Sequence, residues 1–159
     1  MTTANVSPIP TPMQVQFSLL SYGALQRDVV DTCRGLGIGV IAYSPLGLGM
    51  LTGAYDVERG WLPPGLRGQL FRQVLPKVRP VTETLGAIAR ERGRDPAQVA
   101  VNWCMRKGTV PIPGAKSVKQ VRANLGACGW ALNAAEVEEL DAAVGRCTGG
   151  MVQNIFSTK

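Results

Sequence analysis

The segment Ile38-Gly-Val-Ile-Ala-Tyr43 decides the fold, because it is short, apolar and rich in β-branched residues. Such a segment is typical of a strand buried on both faces in a parallel sheet. Before it, apolar residues recur at helical spacing from Leu25 to Cys33, and glycines at positions 35 and 37 end the predicted helix. Further back, Gln14 to Leu20 alternates apolar and polar side chains, which predicts another strand. A helix between two such strands indicates a βαβ unit.

On the carboxyl side, the segment from Ser44 to Lys77 is rich in Gly and Pro, which predicts a long irregular loop. Helices are predicted from Val78 to Arg92 and from Pro96 to Gly108. The second of these opens with the N-cap, proline and capping glutamine of Asp95-Pro-Ala-Gln98. Thr109 to Ile112 is predicted to be a third strand.

Two further helices are predicted near the carboxyl terminus. They open at the capping signatures Ser117-Val-Lys-Gln120 and Asn133-Ala-Ala-Glu136. Their periodicity predicts one buried apolar face on each, formed by Val118, Val121 and Leu125 on the first and by Val137, Leu140 and Val144 on the second.

The resulting order of elements contains three strands of the parallel type. Three strands cannot close a barrel, and a parallel sheet with open edges exposes unpaired backbone groups. The fold class predicted from the sequence is therefore α/β, as part of a larger sheet.

Length and composition favour one ordinary globular domain. The chain has 159 residues, of which 45% are hydrophobic and 18% charged. No run approaches the ~20 apolar residues that span a bilayer, so no membrane association is expected. Residues 1–13 are small, polar and rich in proline, and we expect a disordered arm there, without the features of a secretion signal or an organelle transit peptide.

The sequence contains no histidine, which removes the commonest general base, the usual zinc ligand and every Ser/His or Cys/His nucleophile pair. The four cysteines lie far apart with no C-x-x-C pair, so we expect reduced, mostly buried thiols and no metal site. The net charge of +6 comes from scattered Lys and Arg residues, which favours a solvated basic surface over a nucleic-acid site.

Two loop motifs, Ala42-Tyr-Ser-Pro-Leu-Gly47 and Pro111-Ile-Pro-Gly-Ala-Lys116, resemble those of the aldo-keto reductase family. Members of that family fold as (β/α)8 barrels and reduce carbonyl groups with NADPH. The resemblance runs from about Gln14 to the carboxyl terminus and is closest to the plant-type plastid oxidoreductases. It implies that the three strands are the sixth, seventh and eighth of a partial TIM barrel, and that residues 14–159 are the C-terminal half of such a reductase.

The resemblance places the nicotinamide side of an NADP site on the first motif and the first strand. Tyr43 would stack on the nicotinamide ring, although a strand-end tyrosine can also be a core residue. Ser44, Leu46 and Leu48 match the positions that wrap the pyrophosphate, where an ordinary glycine turn would look similar. Gln14 matches the glutamine that holds the carboxamide.

The second motif would hold the adenosine side. Gly114, Ala115 and Lys116 precede a predicted helix N-terminus, where free N–H groups favour an anion. Lys116 matches the family's cation for the 2′-phosphate of NADP, although a lone lysine is commonly just solvated. Gln120 and Asn124 match the adenosine contacts, and Gln120 could instead serve the helix cap.

The chain also departs from the family pattern. Ala123 stands where the family usually has a glutamate that contacts the adenine. The family's catalytic Tyr, Lys, Asp and His come from the half that this sequence lacks, and the tyrosines at positions 22, 43 and 55 match none of the catalytic positions. No catalytic residue is therefore assigned, and we expect the chain alone to be inactive.

The function that the resemblance implies is an NADP(H)-dependent carbonyl reductase, here represented by its cofactor-binding half. The alternative is a non-catalytic nucleotide-binding or regulatory subunit, like the potassium-channel β subunits of the family. Expected partners are NADPH, a small carbonyl substrate if an N-terminal half completes the barrel, and a second copy of the chain through self-association. The resemblance points to a soluble protein of the chloroplast, and a cytoplasmic location stays open.

Overall fold

The computed structural model describes residues 11–151, which form a three-stranded parallel sheet flanked by helices. The strands are β1 (Met13–Gln16), β2 (Val40–Tyr43) and β3 (Thr109–Ile112), in the spatial order β1-β2-β3. The α-helices are α1 (Ala24–Gly35), α2 (Gly65–Val74), α3 (Arg79–Arg92), α4 (Pro96–Arg106), α5 (Val118–Leu125) and α6 (Ala134–Gly145). The predicted α/β class and the three parallel strands are confirmed.

Two predicted boundaries were wrong. β1 ends at Gln16 because Ser18 and Ser21 form a turn, in which the Ser21 Oγ accepts a hydrogen bond from the Ser18 N–H (3.0 Å). The segment from Ser44 to Lys77 is not a continuous irregular loop. It contains the 3-10 turn Gly47–Thr52, the whole of α2 and all but the last residue of the 3-10 turn Leu75–Val78.

The predicted N-terminal arm falls mostly outside the described residues, which begin at residue 11. Met13, which we assigned to that arm, belongs to β1 and donates its N–H to the Gly39 carbonyl (2.9 Å). Within residues 11–151, no helix is both long and apolar enough to cross a membrane.

The two faces of the sheet have different surroundings. Val40, Ala42 and Thr109 are buried beneath the helices. Side chains alternate along a strand, and residues in register on neighbouring parallel strands share a face. Gln14, Ile41, Tyr43, Val110 and Ile112 therefore lie together on the opposite face. On that face Val110 is 61% exposed and Ile112 is 46% exposed.

The core lies between the outer face of the sheet and the helices. Its largest fully buried side chain is Trp103, which stacks on Phe17 with ring centroids 5.4 Å apart. The Trp103 Nε1 donates to the Asp141 carboxylate (3.0 Å), which links α4 to α6. α3 packs against both of these helices.

The predicted burial of the apolar face of α5 was wrong. Val118 is 68% exposed, Val121 48% and Leu125 63%, and α5 has no buried residue. The corresponding prediction for α6 is confirmed for Leu140, which is fully buried, while Val137 and Val144 are half-buried. Helical spacing identified both apolar faces, but only the face of α6 has a neighbour among the described residues.

A buried asparagine fixes the connection between α5 and α6. The Asn102 Nδ2 donates to the carbonyls of Ala127 and Trp130 (both 3.0 Å), and its Oδ1 accepts from the Leu132 N–H (3.0 Å). Asn102 is 1% exposed, so its amide is satisfied entirely within the protein. Because Asn102 lies on α4, these hydrogen bonds hold the connector against that helix.

The four cysteines are free thiols, and each lies in or beside a helix, as expected. The prediction that most are buried holds for Cys33 and Cys104. Cys147 is half-buried and Cys128 is exposed.

Candidate cofactor-binding site

The first candidate loop leaves the carboxyl end of β2 through a tight, left-handed backbone. Tyr43 closes β2 and is half-buried. The Gly47 N–H then donates to the Ser44 carbonyl (3.0 Å), and the Gly49 N–H donates to the Leu46 carbonyl (2.9 Å). This folds residues 44–49 into two successive turns.

Ser44 and Leu48 are the only non-glycine residues with positive φ in residues 11–151, at 53° and 55°. A left-handed conformation costs a residue with a side chain roughly 1–3 kcal/mol, and such strain is concentrated at functional sites. Gly47 is left-handed too, at φ 54°, and follows Leu46 in a right-handed conformation at φ −96°. A right-handed residue followed by a left-handed one points successive N–H groups into an anion-binding concavity.

Arg67 places a cation beside this loop, and the sequence reasoning did not identify it. Its guanidinium donates to the Leu48 carbonyl, and it lies over the rings of Tyr55 (5.7 Å) and Phe71 (5.2 Å). Gly49 allows this approach, because a Cβ there would lie 3.0 Å from the Arg67 Nη2. A single arginine in a stretch assigned to an irregular loop gave no signal of this contact.

The second candidate loop leaves the carboxyl end of β3. Ile112 is in register with Tyr43, so the two loops emerge at the same edge of the sheet. Gly114, Ala115 and Lys116 are exposed, and the Ser117 Oγ caps α5 by accepting from the Gln120 N–H (3.2 Å). Lys116 therefore stands immediately before a helix N-terminus.

The remaining predicted site residues are distributed around these loops. The Gln120 Oε1 accepts a hydrogen bond from the Lys116 N–H (2.6 Å), so its oxygen supports the loop and only its Nε2 group remains to donate to a ligand. Asn124 is half-buried, one helical turn further along α5. Gln14 is exposed on the face that carries Tyr43, in register with Ile41.

The described residues offer this edge no clear proton donor. Tyr22 packs edge-on against Trp103 (5.0 Å), and Tyr55 packs edge-on against Phe71 (5.0 Å). Within residues 11–151 no group of three or more His, Cys, Asp or Glu side chains could hold a metal ion. Tyr22 and Tyr55 therefore pack in the core and do not lie at this edge of the sheet.

A cavity of about 170 Å³ lies elsewhere, between α1 and the end of α4. Two of its cations are already paired, since Arg34 binds the Asp31 carboxylate (2.7 Å) and Lys107 binds the Asp141 carboxylate. The predicted cofactor residues do not line this cavity.

Sequence comparison connects these features to known proteins. The profile of the Aldo/keto reductase family matches residues 3–144. The chain is 53% identical over 146 residues to a chloroplastic pyridoxal reductase of Arabidopsis thaliana, covering 92% of this chain and 40% of that protein. It is 33% identical over 155 residues to a probable aldo-keto reductase of Glycine max, covering 94% of this chain and 44% of that protein. The chain thus spans less than half the length of these relatives.

Solved structures give the same picture of the fold. A glycerol dehydrogenase of Gluconobacter oxydans superposes with a TM-score of 0.76 at 24% identity, covering 96% of this chain and 47% of that one. An aldo-keto reductase of Bombyx mori solved in complex with NADP gives a TM-score of 0.57 at 22% identity, covering 82% of this chain and 36% of that one. The sheet and its helices match part of a barrel, and the family profile covers most of the sequence. This chain belongs to the aldo/keto reductase family.

Proposed function

We propose that this chain is the NADP(H)-binding portion of a carbonyl reductase. The loop after β2 would wrap the pyrophosphate, with Tyr43 against the nicotinamide. The loop after β3 would place Lys116 at the 2′-phosphate. Gln14 would hold the carboxamide, and Gln120 and Asn124 would contact the adenosine.

The observation that carries this proposal is the strained backbone of residues 44–49. Leu48 is exposed and left-handed at φ 55°, and the Arg67 guanidinium donates to its carbonyl. An anion seated beside the Leu46 N–H would repay that strain, and Arg67 would add a favourable charge.

In the proposed reaction, bound NADPH supplies a hydride to the carbonyl carbon, and the oxygen takes a proton from an acid. The products are an alcohol and NADP⁺. The protein's part in this half is to bind and orient the cofactor. The proton donor must come from residues beyond the described part of the chain or from another polypeptide.

The test is nucleotide binding by the chain itself, followed by NMR amide shifts at residues 44–49 and 114–117. We expect NADPH to bind more tightly than NADH. Replacing Lys116 with alanine should weaken NADPH binding about tenfold or more, with little effect on NADH, because a charge-assisted contact to the 2′-phosphate is lost.

Lys119→Ala is the matched control, since Lys119 is another exposed lysine and lies three residues from Lys116, in the first turn of α5. We expect it to leave the preference for NADPH unchanged. Equal affinities for the two nucleotides, or shifts confined to residues outside both loops, would contradict the proposed site.

The Arabidopsis relative is named a pyridoxal reductase. A pyridoxal-like aromatic aldehyde is therefore the carbonyl substrate that we propose to test first, once the chain is joined to a complementary half barrel.

A further inference from the structure

The cavity of about 170 Å³ between α1 and the end of α4 has an apolar wall formed by Phe17, Tyr22 and Val30. Phe17 and Val30 are buried members of the core, so packing fixes their positions. The Tyr22 ring packs edge-on against Phe17 (5.6 Å) and Trp103 (5.0 Å), which fixes its orientation as well. The apolar wall therefore has a defined shape without any ligand.

The cavity is large enough for one small aromatic ring. An apolar cavity of about 150 Å³ can hold benzene, so a volume of this size accommodates a single six-membered ring. A planar ligand could pack against Tyr22 in the edge-on or offset arrangement that aromatic pairs prefer. The apolar wall thus favours a ligand with a flat ring over a purely polar one.

The rest of the lining is charged and mostly positive. It contains the cations Arg27, Arg34 and Lys107 and one carboxylate, that of Asp31. Arg34 is paired with Asp31 (2.7 Å), and Lys107 is paired with Asp141. Within residues 11–151 no carboxylate lies within ion-pair distance of Arg27. The lining therefore keeps one positive charge that the described part of the chain does not neutralise.

Arg27 and Lys107 both lie against the Tyr22 ring. The Arg27 guanidinium is 5.4 Å from the centre of this ring, and the Lys107 Nζ is 4.8 Å from it. The Lys107 side chain is only 17% exposed, and its Nζ also lies over Trp103 (5.4 Å). A cleft with apolar walls and an excess of one sign of charge attracts ligands of the opposite sign. An anionic group is therefore favoured next to the aromatic wall.

We propose that this cavity binds a small aromatic anion, a single ring that carries one carboxylate or phosphate group. The ring packs against Tyr22, and the anionic group accepts hydrogen bonds from the Arg27 guanidinium, whose planar donors suit both groups. The Lys107 ammonium adds a second favourable charge. This site shares no lining residue with the proposed NADP(H) site, so it is a second binding site of the chain.

The experiment is titration of the chain with benzoate and with phenyl phosphate, followed by NMR. We expect saturable shifts of the amide signals of Tyr22 and residues 27–34. The indole N–H signal of Trp103 should also shift, because this group donates to the Asp141 carboxylate that binds Lys107. Binding of only one of the two probes would support the site and identify its anionic group.

Two further probes separate the ring from the charge. Benzyl alcohol has the ring without the charge, and inorganic phosphate has the charge without the ring. We expect each to bind about fivefold or more weakly than the better aromatic anion, because each loses one of the two contacts. If either bound as tightly as that anion, the inference would be overturned.

Arg27→Gln should weaken binding of the aromatic anion about fivefold or more, because a charge-assisted hydrogen bond is lost. Arg27 is exposed on α1, so the circular dichroism and melting temperature of the variant should match those of the parent. Arg106→Gln is the matched control, since Arg106 is exposed and precedes Lys107 in the sequence but does not line the cavity. It should change the affinity less than about twofold.

The absence of shifts at the cavity residues would overturn the inference, as would equal weakening by Arg27→Gln and Arg106→Gln. NADPH should not displace the aromatic anion, and Lys116→Ala should leave its affinity unchanged. Displacement by NADPH would place the anion at the loops after β2 and β3 and would also overturn the inference. Because the probes are titrated without nucleotide, this site can fail while NADPH binding succeeds.

Discussion

The four cysteine thiols of this protein differ widely in their exposure to solvent and to chemical reagents. Cys104 is fully buried, and burial raises the pKa of its thiol. Burial also raises the pKa of the half-buried Cys147. Cys128 is exposed beside the connector from α5 to α6. Since the thiolate is the reactive form, exposure and pKa together predict the order of labelling.

We expect a disulfide reagent such as Ellman's reagent to label Cys128 first in the native protein. Cys147 should follow slowly and respond only at a higher pH, because its raised pKa leaves less thiolate at neutral pH. Cys33 and Cys104 should react only on unfolding. The Cys128→Ser variant should lose the fast phase alone, and prompt labelling of Cys104 in the native protein would contradict the packing of α4.

At the scale of single elements, two helical glycines look alike in the sequence and differ in their surroundings. A Cβ at Gly68 in α2 would lie 2.1 Å from the Pro63 carbonyl oxygen. A Cβ at Gly86 in α3 would meet only the Arg90 Nη1 at 3.5 Å. Gly68→Ala should therefore destabilise the protein and disturb the docking of α2.

Gly86→Ala should raise the free energy of unfolding by about 0.5–1 kcal/mol, because alanine loses less backbone entropy than glycine in a helix interior. Urea denaturation of both variants measures the difference. If Gly68→Ala proved as stable as Gly86→Ala, the close approach of Pro63 to α2 would be wrong.

Glu136 joins α6 to α3 and also caps α6. Its carboxylate accepts two hydrogen bonds from Arg92 (both 2.6 Å) and one from the Asn133 N–H (2.7 Å). The hydrogen bonds from Arg92 lower the pKa of Glu136 below its ordinary value. The stabilisation is therefore complete above the pKa of the unfolded chain, near 4.5, and is lost as the pH falls through the lower pKa of the folded state.

We expect Glu136→Gln to be less stable than the parent at pH 7, because it loses the ion pair and keeps the capping amide. The difference should shrink as the pH falls from about 4.5 through the lower pKa of the folded state, where the parent carboxylate becomes protonated. Urea titrations at neutral and acidic pH measure this. Glu139→Gln, at an exposed position of the same helix, should show neither effect, and a difference that grew in acid would contradict the assignment.

Local signals in the sequence predicted most of these elements. The capping boxes at Asp95 and Asn133 marked the starts of two helices correctly. α2 was missed because Gly65 and Gly68 look like helix breakers, whereas Gly68 is small to admit the Pro63 carbonyl. The face of α5 was misplaced because periodicity shows that a face is apolar and not what lies against it.

Some residues of the candidate site could likewise be predicted from the sequence, and others could not. The motif residues from Tyr43 to Leu48 and from Gly114 to Lys116 could be placed from the sequence at the carboxyl ends of two neighbouring strands. Arg67 could not, because its contact with Leu48 depends on α2 folding back onto the loop.

At the scale of the whole molecule, we expect the isolated chain to bind NADPH without catalysing carbonyl reduction. We expect the isolated chain to show no enzymatic reduction of an aromatic aldehyde with NADPH. It lacks a positioned acid among the described residues, and acid catalysis alone typically contributes ~100- to 10,000-fold. Loss of NADPH absorbance measures the rate, with Tyr55→Phe as the control. Turnover that this variant abolished would show that Tyr55 acts as the acid.

The Asn102 carboxamide on α4 holds the connector between α5 and α6 by hydrogen bonds. Residues 126–132 contain no α-helix or strand, so on chain geometry alone they would open on the nanosecond-to-microsecond timescale of a surface loop. Their three hydrogen bonds to one buried amide oppose this opening, because breaking them leaves the buried Asn102 carboxamide unpaired. We therefore expect residues 126–132 to open about as slowly as the core of the protein. The carboxyl end of α5 is then held firmly, although the outer face of α5 is exposed.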